Sequence, residues 1–299
     1  MRIAITGSSG LIGTALGRSL RADGHEVAPV VRSASDDPRA VRWDPAAGTI
    51  DAAALEGVDA VVHLAGAGIG DRRWSEARKR EIRDSRTTGT DLVARTLAGL
   101  SSPPKVLVSA SAIGFYGDRG DEVVTELSAP GDDFLAEVVS AWEGATAPAA
   151  EAGIRVVHAR SGIVLSGDGG VLPRMALPFR FFVGGRLGSG RQWVSWMSIE
   201  DEVGALRFLI ERDDLASPVN LVAPEPVTNA ELARAIGDVL HRPSLVPVPA
   251  FGPRLVLGRE MADELLFVSQ RVRPGVLIDA GYPFVHTDVT AGLRAALGG

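Results

Sequence analysis

Three glycines recur at a spacing that suits phosphate: Gly7-x-x-Gly10-x-x-Gly13. An apolar, β-prone run ends just before them at Thr6. An amphipathic stretch with Leu11, Ile12, Ala15, Leu16 and Leu20 begins at once. The pattern is a strand, a tight turn and a helix. Gly7 lets the chain turn, Gly10 lets the backbone approach a pyrophosphate, and Gly13 lets the helix lie close on the strand. The helix start then offers free N–H groups and a partial positive charge to an anion. Ser9, Leu11 and Ile12 belong to the same turn and would meet that anion too. The choice of dinucleotide is made at the end of the second strand, roughly 20 residues on, where an acidic residue would hold a ribose hydroxyl. Here the strand Glu26 to Val31 ends in Arg32-Ser33. A guanidinium grips a 2′-phosphate with two parallel hydrogen bonds, so the expected cofactor is NADP(H). The plainer reading of Arg32 is a solvated surface charge.

The frame for these groups is an alternation of strand-like and helix-like segments that runs through residue 165. Val58 to Leu64 is almost continuously apolar, as strands covered on both faces are. Ser75 to Leu100 reads as one long charged helix, Lys105 to Ala110 and Ile154 to Ala159 as strands, and Asp132 to Ala152 as a helix with Pro148 near its end. The expected fold class is α/β, a doubly wound parallel Rossmann sheet with a smaller C-terminal α/β substrate lobe. Residues 1–165 would form the NADP-binding domain. Residues 166–246 would supply substrate-lobe segments interleaved with the sheet, and 247–299 a C-terminal helical appendage. Helix starts resume at Ser198 and at Thr228, where Glu231 completes a capping box.

Composition narrows the classes. The chain has 299 residues, 45% of them apolar, enough for a large core. It has no cysteine, which excludes disulfides, a thiolate nucleophile and Cys-built metal sites, and fits a reducing cytoplasm. A net charge of −6 argues against a nucleic-acid surface. The apolar runs are short of a membrane span, and the N-terminus enters a strand without a signal-peptide pattern, so a cytoplasmic protein with no membrane partner is expected. No histidine or carboxylate stands at ligand spacing to His63, which reads as a buried strand residue, so no metal is expected.

Several stretches together resemble the extended short-chain dehydrogenase/reductases, the group that contains sugar-nucleotide epimerases. They are Thr6 to Gly13, His63-Leu64-Ala65-Gly66, Val108-Ser109-Ala110-Ser111 and Gly114-Phe115-Tyr116-Gly117-Asp118. Ser85-Arg86, Trp142-Glu143, Arg160 to Leu165, Gly188 to Trp196 and the tail from Pro247 to Leu297 narrow the resemblance to an atypical epimerase-like branch with a C-terminal domain of unknown function. The resemblance implies NADP(H) bound over the carboxyl ends of the strands, with a substrate cleft under the C-terminal lobe. It places Leu64, Ala65, Gly66, Arg86, Ser109, Arg160 and Gly162 beside the cofactor. It makes Ser111 a donor to the reacting oxygen of the substrate, a role that stabilises charge developing in the transition state. Arg191 and Trp196 would face the substrate; Trp193 and Asp201 would line or support the cleft.

One departure from that family bears on chemistry. Typical members carry Tyr-x-x-x-Lys, a phenol acid whose pKa a neighbouring ammonium lowers. Here the only tyrosines are Tyr116 and Tyr282 and the only lysines Lys79 and Lys105. Counting back from Glu143 puts the tyrosine and lysine positions on Ala136 and Ser140; counting from Ser111 puts the tyrosine nearer Phe134. Tyr116 is the one phenol near Ser111. Two functions follow: an NADP(H)-dependent oxidoreductase or epimerase-like enzyme for a small carbonyl or hydroxyl substrate, with Ser111 and Tyr116 as its catalytic groups, or a non-catalytic NADP(H)-binding sensor or interaction protein.

Overall fold

The computed structural model describes residues 1–298, the side chain of Ser217 excepted. In its first half β1 (Arg2–Thr6) enters α1 (Leu11–Ala22), and β2 (Glu26–Val31), β3 (Val41–Asp44), β4 (Thr49–Ile50) and β5 (Ala60–His63) follow. Next come α2 (Glu76–Ala98), β6 (Val106–Ala112), the short β7 (Val123–Val124), α3 (Phe134–Gly144), α4 (Ala147–Glu151) and β8 (Arg155–Ser161). The second half holds β9 (Ile163–Leu165), α5 (Leu172–Arg180), β10 (Trp193–Val194), β11 (Trp196–Ser198), α6 (Ile199–Glu211) and β12 (Ser217–Leu221). It ends with β13 (Val227–Thr228), α7 (Asn229–Leu240), α8 (Phe251–Leu257), α9 (Arg259–Ala262), β14 (Arg271–Val272), α10 (Gly275–Asp279) and α11 (Val289–Leu297).

Eight strands form one sheet in the order β12-β8-β6-β5-β1-β2-β3-β4. Every pairing from β12 to β3 is parallel, and only β3–β4 is antiparallel. The two-residue period of each strand sorts its side chains between the two faces of the sheet. Ile3 and Ile5 of β1 join Leu16, Leu20 and Leu206 on the face covered by α1 and α6. Ala4 joins Val93, Ala94 and Leu97 of α2 on the other. The chain winds outward from β1 through β2, then returns to β5 on the other side. The crevice over the carboxyl ends of β1 and β5 is therefore the switch point, where open α/β sheets bind ligands.

A second core lies beyond the sheet, where α5, α7 and α11 gather Leu172, Phe179, Leu232 and Leu293 around Trp196. The capping box at Thr228 and Glu231 is formed in both directions. The helix expected over 132–152 is two helices. Its break falls before Pro148, which sits in the first turn of α4, where its missing N–H costs nothing. The tail after 247 adds more than helices, because β14 pairs in parallel with β7. Among the described residues no helix is long and apolar enough to cross a membrane.

Candidate active site

The glycine turn is built by close contacts that side chains would break. Gly7 has φ of +64°, and a Cβ there would stand 2.9 Å from the Leu64 backbone. A Cβ on Gly13 would stand 2.2 Å from the Gly7 carbonyl oxygen, so α1 can lie against the turn only with glycine. Gly10 donates to the Gly7 carbonyl at 2.9 Å and is the N-cap of α1. No side chain caps that helix start and no acid lies in its first turn, which leaves its positive end to a ligand. Thr6 ties the turn to β5: its Oγ accepts the N–H groups of Leu64 and Ala65 at 3.0 and 3.2 Å. The same hydroxyl lies 2.8 Å from His63 Nδ1. His63 is fully buried and burial pulls its pKa down to about 4, so it is a neutral strand residue. Arg32 and Ser33 are exposed at the end of β2, and Arg32 makes no ion pair among the described residues. The glycine turn and the start of α1 form a backbone cradle, and Arg32 stands at the end of the adjacent strand β2.

Arg86 comes to the same crevice from α2. Its guanidinium donates to the carbonyls of Ala67 and Ile82 at 3.0 and 3.1 Å and lies 5.0 Å from the Trp142 ring. Burial, with the charge of Arg78 adding, pulls its pKa down to about 10, which leaves it a cation at neutral pH. Trp142 is fixed in turn by its indole N–H on Thr90 Oγ at 2.9 Å.

Next to the crevice is a cleft of about 260 Å³. Its walls come from the end of β6 (Ala112 to Gly114), α3, the residues after β8 (Ser161 to Ile163), Trp193 to Ser195, and Glu264 to Leu266 of the tail. Most of the lining is aliphatic. Leu135 and Val139 of α3 face it at the i, i+4 spacing of a tyrosine–lysine pair. Ala136 is fully buried, and neither it nor Ser140 lines the cleft. Three titratable groups do: Arg86, Asp133 and Glu264. Asp133 caps α3, accepting the Ala136 N–H at 2.8 Å. Burial, helped by Asp132 and Asp118, raises its pKa. Glu264 Oε2 accepts the Leu135 N–H at 2.9 Å. Burial first, then the charges of Asp133 and Glu260, push its pKa up to about 7.

Ser111 and Tyr116 do not line this cleft. They belong to a buried network behind it. Glu143 accepts from Ser111 Oγ at 2.6 Å and from Arg160 Nε and Nη2 at 2.7 and 2.8 Å. Arg160 Nη1 donates to the Tyr116 hydroxyl at 3.1 Å, and that hydroxyl donates to Asn220 Oδ1 at 2.7 Å. Burial alone would raise the Glu143 carboxyl, but Arg160 and Ser111 outweigh it and hold it below the ordinary range. Burial raises the Tyr116 phenol. The structure therefore corrects the expectation for Tyr116, whose proton is committed to Asn220 and whose side chain has no exposure. The Arg160 guanidinium is spent on Glu143 and lies 3.5 Å from the Phe115 ring, which leaves only the backbone of Arg160 for the cofactor contact read from the sequence.

The two substrate residues read from the sequence are also relocated. Arg191 is exposed and off the cleft. Trp196 is fully buried in the second core and donates to the Glu225 carbonyl at 3.1 Å. Trp193 is the tryptophan on the cleft wall, held by Asp121 at 2.9 Å. Gly162 lines the cleft, and a Cβ there would meet the Ser195 carbonyl at 2.6 Å. Ser109 is buried in β6. Leu64, Ala65 and Gly66 edge the crevice, with Gly66 beside Arg86. Glu264 escaped the sequence reading because it lies 129 residues from its partner Leu135.

Comparison with known proteins adds the following. The NAD dependent epimerase/dehydratase family matches residues 3–222, and a domain of unknown function, DUF1731, matches residues 248–296. Epimerase family protein MT2273 of Mycobacterium tuberculosis is 46% identical over 98% of this chain and 97% of its own. Epimerase family protein YfhF of Bacillus subtilis is 37% identical over 97% of this chain and 95% of its own. Human epimerase family protein SDR39U1, crystallised with NADPH, is 35% identical, covers 100% of this chain and 99% of its own, and superposes with a TM-score of 0.92. A nucleoside-diphosphate sugar epimerase from Corynebacterium glutamicum is 38% identical with a TM-score of 0.83, and this chain spans 58% of that one.

Proposed function

The chain belongs to the NAD-dependent epimerase/dehydratase family, and from that premise we propose that it is an NADP(H)-dependent oxidoreductase acting on a small, neutral carbonyl or hydroxyl compound. One observation carries the cofactor half of this reading: the uncapped, glycine-built start of α1 with the unpaired Arg32 at the next strand end, in a chain whose human relative was crystallised with NADPH. The N–H groups after Gly10 would hold the pyrophosphate, and Arg32 the 2′-phosphate. Arg86 is the cation lining the cleft, and it would hold the nicotinamide end in place of the lysine that α3 lacks. Bound NADP(H) supplies or accepts hydride.

The cleft wall argues for the substrate class. Leu135, Val139, Ile163, Met175 and Leu265 make it apolar, and Arg86, already bonded to the Ala67 and Ile82 carbonyls, is the one cation on it, which is little to hold a diphosphate. Arg191, the cation expected to face the substrate, is off the cleft. A neutral, largely apolar carbonyl compound fits this lining better than a sugar nucleotide. Ser111 and Glu143 then act as the rigid floor on which β6 and α3 are registered.

A second reading, an NADP(H)-binding protein without turnover, is favoured by the commitment of the Ser111 and Tyr116 hydroxyls to Glu143 and Asn220. Fluorescence titration with NADPH and NADH, followed by loss of NADPH absorbance across a panel of apolar aldehydes and ketones, separates them. Tight NADPH binding with carbonyl-dependent oxidation supports the enzyme. Tight binding with no oxidation across the panel supports the sensor. Absence of NADPH binding refutes both.

A further inference from the structure

We propose that Glu264, delivered by the C-terminal segment, is the acid–base group of the cleft, in the place of the phenol that α3 lacks. The inference rests on the hydride-transfer reading above and supplies its missing proton donor. Of the three titratable groups on the cleft, Arg86 stays charged and Asp133 is engaged as the cap of α3. The serine hydroxyls on the wall are engaged too: Ser161 donates to Glu202 at 2.6 Å and Ser195 to the Gln270 carbonyl at 2.8 Å. Glu264 is placed differently. It lies in the π-helical turn Asp263–Phe267 that follows α9, and that turn puts Glu264, Leu265 and Leu266 on the cleft in succession. Its Oε2 rests on the N–H of Leu135, which opens the Leu135–Val139 pair facing the cleft. The carboxyl thus stands at the start of the stripe that α3 turns to the cleft. The Phe134 N–H also faces this carboxyl, and Glu264 lies on the cleft, where a ligand can reach it.

The surroundings keep this carboxyl protonated near neutrality. Asp133 faces it from α3, with Asp118 and Asp132 behind, and Glu260 faces it from α9 with Lys79 bridged to it at 2.7 Å. Burial first, then the charges of Asp133 and Glu260, push the pKa up to about 7, the range in which an acid–base group works best at physiological pH. In the reducing direction the substrate carbonyl carbon takes the hydride that NADPH supplies, and the C=O π pair moves to oxygen. The Glu264 proton passes to that oxygen. The products are an alcohol, NADP⁺ and the Glu264 carboxylate, which water reprotonates. In the oxidising direction the carboxylate takes the alcohol proton.

The test uses the full chain at saturating NADPH, with phenanthrenequinone as an apolar dicarbonyl probe. Single-turnover loss of NADPH absorbance would be followed across neutral pH for the wild type, Glu264→Gln, Glu264→Asp and Asp133→Asn, with NADPH affinity measured for each. The wild-type rate should fall as pH rises through about 7. Glu264→Gln should keep its NADPH affinity, lose about 10²-fold or more in rate and become flat with pH. Glu264→Asp should restore a pH dependence, and Asp133→Asn should move the midpoint down because a like charge is gone. A Glu264→Gln variant with the wild-type rate and profile overturns this inference and leaves the oxidoreductase reading standing. A wild type that binds NADPH but never passes hydride to the quinone overturns the reading and the inference with it. The carboxyl resonance of Glu264, followed by ¹³C NMR, gives a check without turnover. Titration near the ordinary glutamate value of about 4.3 would also overturn the inference.

Discussion

Replacing Glu143 with glutamine tests the network that fixes the floor of the cleft. The Glu143 and Arg160 side chains are 11% and 4% exposed, so both charges have been taken out of water. Three hydrogen bonds of 2.6 to 2.8 Å converge on the carboxylate. A glutamine of the same shape has no charge, and its amide NH₂ faces a guanidinium that also only donates. Arg160 is left buried without a counter-charge, a loss of about 3–5 kcal/mol. At about 2–4 °C per kcal/mol for chains of this order, Tm should fall by roughly 6–20 °C. The loss should also depend on pH. Glu143 is held below its unfolded value of about 4.3, so its contribution is complete above that pH and disappears as pH falls through the lower, folded pKa. Scanning calorimetry of wild type and Glu143→Gln from neutral pH into the acid range measures both effects. The double variant Glu143→Gln, Arg160→Met should recover part of the loss, because the orphaned charge goes too. NADPH affinity should hold in the single variant. A Tm within about 2 °C of wild type at neutral pH would refute the reasoning, since a paired charge this deeply buried cannot be unpaired without cost.

Other perturbations separate the remaining claims. Arg32→Asp should abolish or reverse a preference for NADPH over NADH of at least about tenfold, or 1.4 kcal/mol; equal wild-type affinities for the two in calorimetry would refute it. Gly10→Val should weaken NADPH at least about tenfold with only a small loss of Tm, because φ there is −76°, which any residue adopts, while its Cβ would stand 3.2 Å from the Gly7 carbonyl oxygen. Gly13→Ala should lower both Tm and NADPH affinity, since its Cβ would fall 2.2 Å from the Gly7 carbonyl; a variant with unaltered melting would contradict that packing. Glu202 is fully buried with Oε2 unpartnered, and burial pushes its pKa up to about 7. The folded state therefore holds its proton longer than the unfolded state, and stability should fall by roughly 3 kcal/mol as pH rises from about 4.3 to 7. Glu202→Gln keeps the Ser161 contact and should melt higher than wild type above pH 7, with a flatter profile; an unchanged pH slope would show that Glu202 is not its source.

The parts that could be read from sequence are those whose geometry is local. The Gly7–Gly13 turn is legible because each glycine answers a backbone contact within a few residues or across one strand pair. The place of Arg32 just past β2 is legible because the apolar run before it marks the strand. The errors come from phase and from distance. Ala136, the position counted back from Glu143, and its neighbour Leu135 differ by one residue, which turns a helical side chain by about 100° and decides between the core and the cleft wall. Trp193 and Trp196 differ in the same way, lying on two short strands that present their indoles to the cleft and to the second core. Tyr116 looked available because no spacing rule shows that Arg160 and Asn220, 44 and 104 residues away, close over it.

Glu264 belongs to the second kind of error, and its environment makes sense of two absences together. A phenol has an ordinary pKa of about 10 and must be lowered toward neutrality, which is the work of a lysine beside it. A glutamate starts at about 4.3 and must be raised, which takes an apolar wall and like charges. Leu135, Val139 and Leu265 provide that wall, and Asp133 and Glu260 provide the charges. An ammonium four residues along α3 would undo this, drawing the carboxyl back into the acid range. Arg86 faces the same cleft, but its guanidinium is directed to the carbonyls of Ala67 and Ile82 and to the Trp142 ring. If Glu264 carries the proton, a chain that has lost its tyrosine must also do without its lysine, and Val139→Lys should lower the midpoint of the pH–rate profile. A midpoint that stays near 7 in that variant would separate the titrating group from this end of α3.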